Sequence, residues 1–166
     1  MTVKSPLTHL NTRGEAHIVD IGNKSATHRR AVAEARLEAQ AETIVAITGG
    51  ALKKGDALAV ARVAGIMAAK KTSDLIPLCH PIALTSVEIE IAPDAGGRAL
   101  VIRATAETTG PTGVEMEALT AAAVAGLTLY DMAKAMDRGM TITGVQLVEK
   151  TGGKSGDFQR GEASAR

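Results

Sequence analysis

Aromatic residues are almost absent: Tyr130 and Phe158 are the only two in 166 residues, and there is no tryptophan. RNA-reading sheets stack bases on aromatic side chains, so an RNA-binding domain lacks its main requirement here. Charge of one sign is lacking too. Nineteen Lys and Arg stand against eighteen Asp and Glu, for a net charge of +1, which excludes the broad basic footprint of a nucleic-acid binder. Any anionic ligand must be met by a local basic pocket. A single cysteine, Cys79, excludes an internal disulfide framework. No apolar run reaches the ~18 residues of a membrane span. The opening MTVKSPLTHLNTRG has no apolar stretch of the secretory-signal kind. The expectation is a cytoplasmic protein with neither membrane nor nucleic-acid partners.

What the chain does have is small and aliphatic. Forty-five per cent is hydrophobic, so the core must be built from Ala, Val, Ile, Leu and Met. Small residues let backbones approach closely, which favours tightly packed helices and subunit contacts. The length fits one domain, expected over 14–158 between a loose segment 1–13 and a disordered tail 159–166.

The patterns predict the elements in turn. His17 to Ile21 reads as a short strand. Thr27 to Leu37 alternates, with Ala31, Ala33, Ala35 and Leu37 on one side and Arg30, Glu34 and Arg36 on the other, and so reads as a strand. Glu42 to Thr48 is a short helix stopped by Gly49 and Gly50. Asp56 caps a helix running through Met67 to Lys70 and Lys71. Val87, Ile89 and Ile91, followed by the Asp94-Ala95-Gly96-Gly97 turn, Leu100 and Ile102, make a hairpin. Val114 to Met136 is a long helix with Gly139 as its C-cap, and Ile142 to Val148 a final strand. From Thr27 on, the order is strand, helix, strand, strand, helix, strand. That is an α+β, ferredoxin-like split βαβ arrangement, with an extra N-terminal strand and a short helix. The long helix is apolar nearly all round, from Ala118 to Leu129. One sheet covers only one side of it, so a homo-oligomer is expected.

Four polar clusters interrupt this aliphatic background. Lys53-Lys54-Gly55-Asp56 precedes a helix, and capping alone explains Asp56. In Asp74-Leu75-Ile76-Pro77-Leu78-Cys79-His80-Pro81, Pro81 holds His80 extended. A Cys–His metal site is not expected, because no second ligand pair stands at finger-like spacing. In Thr112-Gly113-Val114-Glu115-Met116-Glu117, two carboxylates favour a helix N-terminus, a sufficient explanation in itself. In Tyr130-Asp131-Met132-Ala133-Lys134, Asp131 and Lys134 share a helix face, and a charged pair on a buried helix is rarely kept without a function. Glu117 and Asp131 are about 21 Å apart on a straight helix, so a pocket using all four clusters must lie between subunits. Lys150-Thr151-Gly152-Gly153-Lys154-Ser155-Gly156 fails as a Walker motif, since Val148 stands where glycine is needed. Its two lysines, with Arg29 and Arg30, can still clasp a triphosphate.

Taken together, the motifs are those of a known family. Leu7-Thr8-His9-Leu10, Gly14-Glu15-Ala16-His17-Ile18-Val19-Asp20, Lys54-Gly55-Asp56, Ala64-Gly65-Ile66, the run ending Leu78-Cys79-His80-Pro81, Thr112 to Thr120, Tyr130-Asp131-Met132 and Gly152 to Asp157 occur in the family's order. The chain resembles the cyclic pyranopterin monophosphate synthase family of molybdenum-cofactor biosynthesis over about Leu7 to Phe158. Ala106 and Ala133 stand where that family often has cysteine. The resemblance implies a ferredoxin-like fold and a homohexamer built as a trimer of dimers, with active sites at subunit interfaces. The implied substrate is the cyclised guanosine triphosphate supplied by a radical S-adenosylmethionine enzyme, and the implied products are cyclic pyranopterin monophosphate and pyrophosphate. By the same resemblance Asp131 is the catalytic acid residue. Leu78, Cys79, His80, Met116 and Glu117 contact substrate, and Lys54, Glu115 and Lys134 line the site. The residue types suit proton transfers and a charged leaving group. No resident cofactor or metal is expected; Mg²⁺ would arrive only with the triphosphate.

Two other classes compete. A non-catalytic oligomeric module binding a small acidic ligand would keep the basic loop but has no use for Asp131 and Lys134. An RNA-binding ferredoxin-like domain would carry aromatics on its strands, and these strands carry none.

Overall fold

The structure, a computed structural model, describes residues 8–161. Its elements are β1 (Thr27–Glu38), α1 (Ala41–Thr48), α2 (Ala57–Lys70), α3 (Thr72–Leu75), β2 (Ser86–Pro93), β3 (Ala99–Gly110), α4 (Glu115–Ala133), β4 (Thr141–Thr151) and β5 (Phe158–Gln159). The strands form one antiparallel sheet in the order β2-β3-β1-β4-β5. Its first four strands are in the split βαβ order that the pattern predicts.

Alternation explains why the sheet has one dry face. Ala31, Ala33, Ala35 and Leu37 of β1 lie beside Leu100, Ile102, Ala104 and Ala106 of β3, all buried. On the opposite face Arg103 pairs with Glu34, and Arg36 with Asp94. The row of alanines lets α4 settle close on β1 and β3, and α2 packs against α4 in turn. That contact depends on Gly65: a Cβ there would overlap Ile89 and come to 3.0 Å of the Ala121 carbonyl oxygen. The helix layer is therefore set by small side chains, as the composition requires.

Several expectations are corrected. His17 to Ile21 is not a strand; among the described residues the only pairing nearby is an isolated bridge between Leu10 and Ala16. The Val19 carbonyl is taken by the His80 ring instead of a strand neighbour. The additional strand lies at the other end of the chain, where β5 pairs with β4, so Gln159 belongs to the sheet. The segments expected to be loose fall largely outside the described residues, in 1–7 and 162–166. The long helix stops at Ala133 with Lys134 as its cap, before Gly139. Asp137 holds the turn that follows, accepting from the amides of Gln40 and Gly139. The short α3 was not foreseen; buried Thr72 anchors it by donating to the carbonyls of Ala68 and Ala69. Finally, α4 is covered by α2 as well as by the sheet. Its open strip is narrower than expected and is marked by exposed Leu127, while Val60, Val63 and Met67 are exposed on α2. Among the described residues no helix is long and apolar enough to cross a membrane.

Candidate active site

The first turn of α4 and the loop before β2 face each other across a cleft of about 310 Å³. Leu78, Cys79, His80, Met116 and Glu117 line it, together with Val19 and Ile21 from the segment that failed to become a strand. His80 Nε2 lies 2.6 Å from the Val19 carbonyl oxygen. A carbonyl only accepts, so Nε2 carries the hydrogen and donates it to Val19. The extended backbone before Pro81 and this bond together fix the ring.

A second cleft of about 540 Å³ adjoins the first, sharing Lys24, Thr112, Gly113 and Glu115 with it. Arg29, Lys150 and Lys154 line it beside Ser155. Lys150 Nζ donates to the Ser155 hydroxyl at 2.7 Å and pairs with Glu115 at 3.2 Å. Arg29 and Arg30 are successive residues on a strand and part company. Arg30 is taken up by Glu149 and Glu107, so it does not join the basic cleft. Lys24 was missed by sequence reasoning. It stands in the polar Gly-Asn-Lys-Ser loop, where no periodicity marks a lysine as facing inward.

The third group lies at the other end of α4. The turn before α2 is closed by the Gly55 amide donating to Leu52 and by Asp56 accepting from Ala59 at 3.0 Å. Leu52 is buried, and this anchored turn carries Lys54 across to Asp131. Lys54 Nζ donates to the Asp131 carboxylate at 3.0 Å and to its carbonyl at 2.8 Å; Lys134 reaches the same carboxylate at 2.7 Å. All three side chains are about half exposed. The expectation that they sit within a buried helix is therefore corrected: they sit at its exposed C-terminal end. Within one chain the structure brings together His80, Glu117 and the basic cleft, and separately Lys54, Asp131 and Lys134. The helical rise puts about 21 Å between Glu117 and Asp131.

Electrostatics separates the two carboxylates. Burial, with the neighbouring charge of Glu115, pushes the Glu117 carboxyl up to about 7. The flanking Lys134 and Lys54 hold Asp131 below the usual carboxylate range. At neutral pH Asp131 is thus an ionised acceptor, and Glu117 is poised to give or take a proton. Burial and the nearby Glu117 charge raise the Cys79 thiol, which keeps it protonated and a poor nucleophile. Glu117 has a consequence for stability. Its folded-state affinity for a proton exceeds that of the unfolded chain, whose reference is 4.5. The Glu117 contribution to folding stability is therefore lost as pH rises from 4.5 to about 7. Glu117→Gln is expected to flatten that segment of a melting-temperature profile; superimposable profiles for the two proteins would refute the assignment.

The fold and the clefts define a class: a small ferredoxin-like α+β protein with adjoining acid–base and cation-lined clefts, suited to a phosphorylated small molecule. The chain belongs to the MoaC family, whose model matches residues 18–153. A protein of Thermomicrobium roseum, named cyclic pyranopterin monophosphate synthase, is 56% identical over 160 residues, 96% of this chain and 96% of that protein. A protein of the same name from Chloroflexus aggregans is 54% identical over 158 residues, 95% of this chain and 96% of that protein.

Proposed function

We propose that this chain is a lyase that converts (8S)-3',8-cyclo-7,8-dihydroguanosine 5'-triphosphate to cyclic pyranopterin monophosphate, releasing pyrophosphate, in molybdenum-cofactor biosynthesis. The near-full-length similarity to two synthases of that name supports it. The observation that carries it is the junction of the two clefts through Thr112, Gly113 and Glu115, which suits a molecule that is heterocycle at one end and triphosphate at the other.

The chemistry divides along that junction. Rearranging the fused ring needs protons moved at nitrogens and carbonyls, and His80 and Glu117 are the carriers in the first cleft. Closing the cyclic phosphate requires a sugar hydroxyl oxygen to attack the α-phosphorus, its proton passing to solvent. The bond to the β-phosphate breaks, and pyrophosphate leaves with the electron pair. Arg29, Lys150 and Lys154 neutralise the β- and γ-phosphates in the bound substrate and in the departing pyrophosphate alike. Leu78, Cys79, Met116 and Glu115 shape the site around the substrate. Asp131 with Lys54 and Lys134 completes it from a neighbouring subunit, Asp131 holding the two ammonium groups that give protons. The protein works as a homohexamer arranged as a trimer of dimers in the cytoplasm, on substrate delivered by a radical S-adenosylmethionine enzyme. No resident cofactor belongs to this reading; Mg²⁺ enters with the triphosphate.

The direct test is incubation of the purified protein with the cyclised triphosphate, followed by identification of product and pyrophosphate. Binding without turnover would leave a ligand-binding module in place of an enzyme. Lys150→Ala and Lys154→Ala are expected to raise KM more than they lower kcat, since each charge-assisted contact contributes about 1.5–3 kcal/mol. Unchanged affinity in both variants would remove the Gly-rich loop from the site.

A further inference from the structure

Three glycines in the loop after β4 adopt left-handed backbone, Gly152 at φ +88°, Gly153 at +89° and Gly156 at +75°. Their surroundings differ. A Cβ on Gly152 would overlap the His28 carbonyl oxygen, so the backbone of β1 itself requires that glycine. A Cβ on Gly156 would meet nothing within 4 Å. A Cβ on Gly153 would overlap Arg29 Nη1 and come to 2.9 Å of Arg29 Cζ.

Arg29 is not free to step aside. Its Nη2 donates to the Pro111 carbonyl at 3.2 Å. Its Nε is enclosed and has no hydrogen-bond partner. It makes no ion pair among the described residues, whereas the adjacent Arg30 is held by two glutamates. A half-buried arginine whose Nε has no partner, beside Lys150 and Lys154 on one cleft wall, has hydrogen-bonding capacity left for an anion.

We propose that Gly153 is a positioning residue for Arg29: its missing side chain leaves the space in which the guanidinium packs against the Gly-rich loop, so that Arg29 and Lys154 meet the same phosphate groups. Any side chain at this position pushes the guanidinium off its Pro111 anchor and out of register with the lysines. The proposal rests on the reading that the basic cleft takes the triphosphate, and it adds a requirement that reading does not contain.

The test uses the full chain with inorganic pyrophosphate as the titrated probe, alongside KM and kcat for the cyclised triphosphate. Gly153→Ala is expected to weaken pyrophosphate binding and raise KM about tenfold or more, as Arg29→Ala does, because one charge-assisted contact is lost. Its kcat should stay within about threefold, since the contact is made before and during the reaction alike. Gly156→Ala imposes the same left-handed strain in open space and should change KM little. In the Arg29→Ala background, adding Gly153→Ala should have no further effect, because the clash has gone. Equal losses in Gly153→Ala and Gly156→Ala, or a full loss from Gly153→Ala without Arg29, overturn the proposal while leaving the cleft reading intact. Unchanged pyrophosphate affinity in Arg29→Ala removes the cleft reading and the proposal with it. If Gly153→Ala folds only when Arg29 is also Ala, the clash is confirmed. If it unfolds in both backgrounds, backbone strain alone is the reason for the glycine.

Discussion

Asp131→Asn is expected to lower kcat by about 10²–10⁴-fold while leaving the melting temperature almost unchanged. The substitution keeps the shape and removes the charge that orients both Lys54 and Lys134, at 3.0 and 2.7 Å. Without it the two ammonium groups repel each other and lose their common anchor. The side chains are about half exposed, and exposed ion pairs contribute little to folding. A large kinetic loss with little thermal loss is the mark of a group kept for chemistry. Lys54→Met and Lys134→Met should behave alike. A kcat within tenfold of the parent in all three would reduce the cluster to a surface ion pair that helps to finish α4.

An equal mixture of Glu117→Ala and Asp131→Ala proteins, each inactive alone, should recover activity after subunit exchange. If Glu117 comes from one chain and Asp131 from its neighbour, random mixing leaves about a quarter of the interfaces with both residues intact, and those sites work at full rate. The argument rests on two observations. Glu117 faces a cleft at the first turn of α4, and Asp131 meets Lys54 at the last; no straight helix brings them to one small substrate. Leu127 is exposed between them on the same helix, an apolar position that a second subunit would cover. Exchange confirmed by mass with no return of activity would abandon the shared site. Mixed proteins that clearly exceed about a quarter of parental activity would also contradict this arithmetic, because no random assortment of a two-chain site passes that level.

Much of this was legible in the residues because periodicity is local. The alternation from Ala31 to Leu37 separates the dry face of β1 from its charged face without reference to any other strand. Asp56, three residues before Ala59, caps α2 in the structure as its position predicts. The motif around His80 and the run from Thr112 to Glu117 could be singled out because their polar residues break an aliphatic pattern. What failed was each feature decided by a distant partner. His17 to Ile21 has strand composition, but its carbonyl at Val19 belongs to His80, 61 positions away. Gly139 resembles a helix stop, but Lys134 ends α4 and Asp137 ties the turn to α1.

Residue type at short spacing was thus enough for the order of the four long strands and the two long helices, for the dry and charged faces, for the lack of a base-stacking surface and for the family motifs. Only the tertiary structure decided how the charges are shared out. It sends Arg29 to the basic cleft and Arg30 to Glu149, because successive strand residues face opposite ways and only one face opens on the loop. It buries Glu117 and exposes Asp131 on the same helix, raising one carboxyl and lowering the other. A carboxylate's proton affinity is set by the solvent it loses and the charges it meets, and both come from parts of the chain remote in sequence.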